Sequence, residues 1–286
     1  MENNIYEYKS DIAWCTGCGN FGLRNIVMKA LAELNIPKDN LVFVSGIGQA
    51  AKSPQYLDVN YFNGLHGRSL PPAAGIKAAN PNLVVVVESG DGDMYGEGGN
   101  HFVHAIRRNP DITVIVHDNM VYGLTKGQAS PTTQKGMKTP IQVEGVFENP
   151  LNPLSLAISL DASFVARGSV GESELTKELI KKAITHKGFA LVDVFQACVT
   201  FNKINTHKWF KENTYIMDGN THDVKNRAEA FKKSIEEGPW PLGVFYVNEN
   251  KPVFEESLHL YKELKTPLYK RRVSEETVKK LLEGKR

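Results

Sequence analysis

Two stretches hold the densest chemistry in this chain: GDGDMYGEGGN, residues 90–100, and HDNMVYGLTKGQ, residues 117–128. Asp91 stands between Gly90 and Gly92, where the backbone can approach a phosphate closely. A carboxylate from Asp91 and an amide oxygen from Asn119 are the hard oxygen ligands that suit Mg²⁺ carrying a diphosphate. A second constellation is made of sulfur. Cys15 and Cys18 form a C-x-x-C in a glycine-bearing turn, and such a turn can aim two thiolates at one metal or cluster. Cys198 completes the three cysteines of the chain, an odd count that does not suit a disulfide framework.

Three other readings of the glycine-acidic run compete with the first. A dinucleotide fingerprint needs G-x-G-x-x-G, but after Gly90 and Gly92 the third glycine, Gly96, comes one position late. An EF-hand loop starting at Asp91 has Asp93 and Gly96 in place, yet Phe102 stands where the bidentate Glu belongs. A purely structural glycine turn would not gather so many charged atoms at a strand end.

The elements that must position these groups follow from hydrophobic patterning. Residues 83–87 and 112–116 are short valine- and isoleucine-rich runs of the kind buried in parallel sheets, and a helix is expected over residues 99–106 between them. Parallel strands put their carboxyl ends on one edge, where ligands of open α/β folds bind. Upstream, a helix is expected over residues 21–34, stopped by Pro37, and then a strand over 41–44 opening into a glycine turn. Gly64-Leu65-His66-Gly67-Arg68 precedes a helix near residues 71–79; a histidine beside a glycine is a modest site signal. Downstream, SPTTQKGMKTP, residues 130–140, is expected to be a mobile active-site loop. A short helix within 150–160, a strand over 163–166, a helix over 172–186 and a strand over 189–195 follow, with Cys198 just past the last one. The expected fold class is α/β, a doubly wound, mainly parallel sheet over residues 1–205, with a C-terminal extension over 206–286. In that extension, helices are expected over 223–237, 253–264 and 274–282, the last capped by Ser274, with a strand over 242–247. The basic run Lys270-Arg271-Arg272 reads as a solvated face or a contact for an acidic partner.

Composition narrows the function classes. With 286 residues, 41% hydrophobic and 23% charged, the chain is long enough for one large α/β domain plus an extension. A net charge of +2 gives no electrostatic case for nucleic acid. No apolar run reaches a membrane span, and MENNIYEYKSD lacks the apolar core of a signal peptide, so a cytoplasmic location is expected.

GDG followed at this spacing by Asn119 resembles the thiamine-diphosphate motif. More narrowly, GDGDMYGEGGNHFVHAIRRN and VYGLTKGQASPT resemble the β subunit of the 2-oxoacid:ferredoxin oxidoreductases, a likeness that extends over residues 10–205. The resemblance implies that Asp91, Asn119 and the backbone carbonyl of Val121 hold Mg²⁺ for thiamine diphosphate. It implies that Ile47, Gly48, Gln49, Ala50, His66, Gly90, Gly92, Asp93, Gly123 and Leu124 line the cofactor, and that Lys52, Lys126 and His66 stand near the substrate. Thiamine chemistry carries its own electron sink for decarboxylating a 2-oxoacid. In the family, electrons then pass singly through an iron–sulfur cluster to ferredoxin, and the acyl group passes to coenzyme A. The carboxylate that activates the aminopyrimidine is expected on an α subunit that carries the pyrimidine-binding domain, so this chain alone is expected to be inactive. The GLTKGQ segment resembles members that use 2-oxoglutarate or a broad range of 2-oxoacids.

The cysteines depart from the family pattern, which uses four. Cys15, Cys18 and Cys198 match three of them, and Gln49 stands at the fourth. Either a [4Fe–4S] cluster persists with a non-cysteine or external fourth ligand, or a labile or three-iron cluster forms; loss of the cluster, or Zn²⁺ on three thiolates, is the other outcome. Two alternative functions follow: a non-redox thiamine-dependent decarboxylase or lyase subunit, and a cluster-binding interaction subunit with a vestigial fold.

Overall fold

The valine- and isoleucine-rich runs are too short for helices and too apolar for a sheet with one wet face, so they become strands covered on both sides. The computed structural model describes residues 5–219, 221–262, 264 and 266–285; the first four residues of the expected N-terminal arm lie outside them. Eight strands among the described residues form one sheet: β1 (Leu41–Ser45), β2 (Asn60–Asn63), β3 (Val84–Gly90), β4 (Thr113–Asp118), β5 (Phe164–Ser169), β6 (Ala190–Phe195), β7 (Thr214–Ile216) and β8 (Trp240–Val247). Their order is β2-β1-β3-β4-β6-β5-β8-β7, and β2 through β5 in that order are parallel.

Successive residues of each strand face opposite layers. On β4, Val114 and Val116 join a core with Phe102, Ile106, Leu154 and Phe245, whereas Ile115 faces the other way, toward Leu23, Leu31, Leu179 and Ile180. The second layer is made by α1 (Gly19–Leu34) and α5 (Ser173–Thr185); the first by α2 (Leu70–Ala79), α3 (Gly99–Arg108) and α4 (Pro153–Ser159). This is the doubly wound α/β arrangement expected from the sequence.

Beyond residue 205 come α6 (His207–Glu212), α7 (Arg227–Ser234), α8 (Phe254–Ser257), α9 (His259–Lys262) and α10 (Glu275–Glu283). The C-terminal stretch does not stand apart from the sheet: β8 pairs antiparallel with β5, and β7 parallel with β8. Ser274 Oγ accepts from Thr277 N–H and caps α10, as expected. Two helix expectations need correction. The helix expected over 223–237 is confined to α7, because Asn226 takes the N-cap, its side chain accepting from the backbone of Ala228 and Glu229. The helix expected over 253–264 is broken into α8 and α9 at Leu258, whose ψ of 128° is extended; Glu263 lies outside the described residues.

Asn109 ties these parts together. It ends α3 in the left-handed region at φ 59°, and its Oδ1 accepts from the Phe189 N–H and the Ser163 hydroxyl, each at 2.8 Å. Its amide nitrogen donates to the carbonyls of Lys251 and Pro252. One buried amide therefore joins α3 and the starts of β5 and β6 to the C-terminal segment. Asn109→Ala should lower unfolding free energy by about 3 kcal/mol, through orphaned buried donors and acceptors and a left-handed alanine. Urea unfolding followed by circular dichroism checks this; an unchanged midpoint would show that the joint carries no stability.

Candidate active site

Parallel register decides what meets at the carboxyl edge. Gly90 of β3 stands opposite His117 of β4, Ser45 of β1 opposite Glu88 of β3, and Asp118 of β4 opposite Phe195 of β6. The segments that follow these strands, and β2 with its Gly64–Arg68 turn, therefore open on the same side of the sheet.

Asp91 is buried at the end of β3. Its Oδ2 accepts from the Thr132 hydroxyl at 2.8 Å, and the same hydroxyl lies 2.9 Å from Asp118 Oδ1. A hydroxyl has one proton, so two carboxylates share one donor. Burial pushes the Asp91 carboxyl up to about 6, partly offset by its hydrogen-bond donors. Asp118 is pushed well above the usual carboxylate range by burial, and then by the charges of Asp193 and Asp91. A buried acidic pair of this kind favours a divalent cation beside it. Asn119 follows at the end of β4, its Oδ1 accepting from Val121 N–H at 3.0 Å. Between them Met120, buried, sits at φ 58°, a left-handed value costly for a non-glycine residue, and Thr133 holds its carbonyl at 2.7 Å. The Asn119–Val121 turn is thus held in a strained, fixed shape.

Asp93 is the hinge of the opposite rim. Its Oδ1 accepts from Ile47 N–H at 2.9 Å and Gly67 N–H at 2.8 Å and lies 2.6 Å from His66 Nδ1; Ser89 Oγ donates to its Oδ2. One carboxylate thereby gathers the turns after β1, β2 and β3. The approach requires glycine at 46, where a Cβ would sit 1.9 Å from Asp93 Oδ2. Gly92 is equally constrained: a Cβ there would lie 2.2 Å from the Tyr122 ring. The chain from Gly92 to Glu97 makes a single π-helical turn, a device frequent at functional sites.

Of the other residues singled out from the sequence, Ile47 and Leu124 expose their side chains at this edge. His66 is half-exposed, its Nε2 3.5 Å from Glu97. Lys52 lies in the short 3₁₀ segment Ala50–Tyr56, with Gly48, Gln49 and Ala50 at its entrance. Lys126 is exposed in a turn closed by Tyr122 and Gln128, which also carries Gly123. The loop expected to be mobile is instead fastened at its root, where Ser130, Thr132 and Thr133 are buried and hydrogen-bonded. Sequence reasoning missed Thr132, since nothing in the spacing of a Ser/Thr-rich loop announces a bridge. It also missed Arg167 and Asp193, which stand in register on β5 and β6, paired at 3.3 Å, with Tyr95 OH donating to Asp193 at 2.7 Å. A lone charge in each of two apolar strands was the available signal.

The three cysteines converge from two directions. Cys18 precedes α1, its N–H donates to Cys15 O at 3.0 Å, and Gly19 N–H donates to Ala197 O at 3.2 Å. This brings the C-x-x-C turn against the segment carrying Cys198. His207 Nε2 holds the same turn from the C-terminal side, 3.0 Å from Gly17 O. The Cys18 thiol is pushed up by burial, and further by the neighbouring Cys198 and Cys15. Cys198 is buried, and a Cβ on Gly123 would lie 3.8 Å from its Sγ, so sulfur and the loop after Asn119 are adjacent. Trp14, next to Cys15, donates its indole N–H to the Gln49 carbonyl at 2.9 Å, and Gln49 Oε1 is buried with no hydrogen-bond partner among the described residues. Among the described residues, no three His, Cys, Asp or Glu side chains are grouped as ligands of a single metal ion.

The family described as thiamine pyrophosphate enzyme, C-terminal TPP binding domain, matches residues 43–194. The family described as the C-terminal part of the pyruvate ferredoxin oxidoreductase beta subunit matches residues 198–263. The chain is 46% identical to a 2-oxoacid:ferredoxin oxidoreductase subunit beta from Sulfolobus sp, over 86% of this chain and 85% of that one. It is 38% identical to the 2-oxoglutarate synthase subunit KorB of Methanocaldococcus jannaschii, over 86% and 91%. A solved 2-oxoglutarate:ferredoxin oxidoreductase from Magnetococcus marinus, with 2-oxoglutarate, coenzyme A and succinyl-CoA bound, superposes with a TM-score of 0.90 at 35% identity, over 99% of this chain and 97% of that one.

Because Asp93 spends both oxygens on three turns, Asp93→Ala should release the rim as a whole. Affinity for thiamine diphosphate, measured by titration calorimetry on the assembled protein, should fall at least about tenfold. Unchanged affinity would mean that the rim is held without this carboxylate.

Proposed function

This chain belongs to the β subunits of the 2-oxoacid:ferredoxin oxidoreductases, and on that premise we propose that it carries the diphosphate half of a thiamine-dependent, coenzyme A-acylating 2-oxoacid oxidoreductase. In this reading the acid is 2-oxoglutarate or one of a broader range, and the enzyme works in the cytoplasm. An α subunit supplies the pyrimidine-binding domain, and ferredoxin accepts the electrons. The observation that carries the reading is the meeting of a buried, cation-demanding carboxylate at Asp91 with Asn119 and three thiols on one sheet edge.

Asp91, Asn119 and the Val121 carbonyl would hold Mg²⁺, and with it the diphosphate. The fit is supported by Asp91 itself, a carboxylate buried at the strand end whose proton affinity is raised by desolvation and by the nearby Asp193 charge. Thiamine diphosphate, when bound, supplies the electron sink for decarboxylation. The protein's own groups fix its position. Thr132 shares its hydroxyl between Asp91 and Asp118, the strained Met120 turn presents Asn119 and Val121, and Gly92 leaves room for Tyr122 beside the loop. Asp93 orients His66 through its Nδ1, and Nε2 lies 3.5 Å from Glu97. Lys52 and Lys126 supply cations on the same edge for a substrate carboxylate.

Cys15, Cys18 and Cys198 would hold an iron–sulfur cluster, and the orphaned Gln49 Oε1, on a residue tied to Trp14, suits the corner that lacks a thiolate. Gln49 is also the one observation favouring a non-redox lyase, since an amide is a poor iron ligand. The C-terminal segment supports a role in packing against the α subunit: Val278, Leu281 and Leu282 are all exposed on α10.

Anaerobic purification with the α subunit, followed by iron and sulfide analysis and EPR of the reduced sample, tests this reading. Three to four irons per β chain, ferredoxin reduction dependent on coenzyme A, and no turnover by the β chain alone are expected. A colourless complex that binds thiamine diphosphate and decarboxylates without reducing ferredoxin would establish the lyase instead.

Asp91 also sets a pH dependence. Its folded carboxyl is raised to about 6, so its contribution to metal-free stability is fully present below pH 4 and is lost as pH rises through about 6. The cation must displace that proton. Mg²⁺ affinity should therefore rise roughly tenfold per pH unit up to about 6 and level off above it. Calorimetric titration from pH 5 to 8 checks this, and a flat profile would remove Asp91 from the metal site.

A further inference from the structure

Between the sulfur site and the diphosphate site lies a set of buried polar side chains that neither site uses. Asn20 opens α1 two residues after Cys18, Gln196 stands two residues before Cys198, and His117 on β4 stands two before Asn119. All three are at most 2% exposed. Asn20 Oδ1 lies 2.6 Å from Gln196 Nε2 and 3.0 Å from His117 Nδ1. A carbonyl oxygen can only accept, so both neighbours donate to it and the imidazole carries its proton on Nδ1. The far imidazole nitrogen faces Glu88 on β3 at 3.9 Å.

Apolar side chains would be the cheaper filling for such a place. Glu88 Oε1 and Oε2, His117 Nε2 and Gln196 Oε1 all lack a hydrogen-bond partner among the described residues. A buried polar set this incompletely satisfied costs stability, and partial networks of this kind are tolerated where they do something other than stabilise. What this one does is join three chain segments at one atom. The backbone repeats the connection: Gly19 N–H donates to Ala197 O at 3.2 Å, Gln196 N–H to Asp118 O at 2.9 Å, and a Cβ on Gly19 would lie 2.6 Å from Gln196 Cβ.

We propose that Asn20 is a positioning residue: its amide oxygen locks the C-x-x-C turn, the Cys198 segment and the strand that presents Asn119 into one constellation. The inference rests on the cluster reading above. Groups that brace the segments bearing metal ligands orient those ligands, and their loss typically weakens metal retention by about 10–100-fold.

The test uses the α–β complex purified anaerobically, with iron release to a chelator, the midpoint potential and the EPR signal as readouts. Secondary structure by circular dichroism and assembly of the α–β complex by size exclusion in the same samples serve as the folding control. Asn20→Leu keeps the volume and removes the acceptor; iron release should accelerate at least about tenfold while the complex still folds and assembles. Asn20→Asp keeps an acceptor for both donors, so iron should be retained, with a lower midpoint potential from the added negative charge. Where Asn20→Leu fails to assemble, Gln196→Leu removes one donor and should accelerate release in the same direction. Wild-type iron retention and potential in Asn20→Leu would overturn the inference alone, as would equal iron loss in Asn20→Leu and Asn20→Asp, which marks a packing role. A wild-type complex without iron would overturn the cluster reading, and this inference with it.

Discussion

Parallel pairing is the constraint on which everything else in this molecule depends. Strands that run the same way must all end on the same edge, and β2, β1, β3, β4 and β6 are neighbours in that sense. Five turns, widely separated in the chain, therefore open side by side. Three of them carry the candidate oxygen ligands or their supports; another carries Cys198, against which the C-x-x-C turn at the start of α1 is hydrogen-bonded. No loop has to reach far, and each functional side chain sits on or beside the end of a rigid strand.

That edge is acidic and dry. Asp91, Asp93, Asp118 and Asp193 are all buried within it, with Arg167 as a buried counter-charge paired to Asp193. The four do different work. Asp93 is consumed by donors from the neighbouring turns, and Asp193 by Arg167 and Tyr95. Asp91 and Asp118 share one hydroxyl between them, and burial together with the neighbouring acidic charges makes both hold a proton more tightly than an ordinary carboxylate does. A divalent cation placed beside the pair would relieve that repulsion.

Much of this was legible in the amino-acid order. The valine and isoleucine runs announced buried parallel strands, and the GDGD and Asn119 spacing announced a pair of strand ends. The expected helices over 223–237 and 253–264 were less secure, because charged, weakly patterned segments leave their boundaries to local capping at Asn226 and to an extended Leu258. The loop after Gln128 looked mobile because its residues are polar and small; its fastening by Thr132 and Thr133 depends on partners 13 to 41 positions away.

The sequence by itself determined the fold class, the ligand-bearing residue types and the family, since these depend on local periodicity and on motifs whose members lie close in the chain. Only the tertiary structure decided which carboxylates are free to meet a cation and which are already taken. It also decided that Gln49 is tied to the cysteine turn through Trp14, and that one amide of Asn20 links the segments that carry Cys198 and Asn119. Those are questions of contact between distant segments. The number of hydrogen bonds a buried atom receives is set by which strands are neighbours, and no local pattern of residues records that.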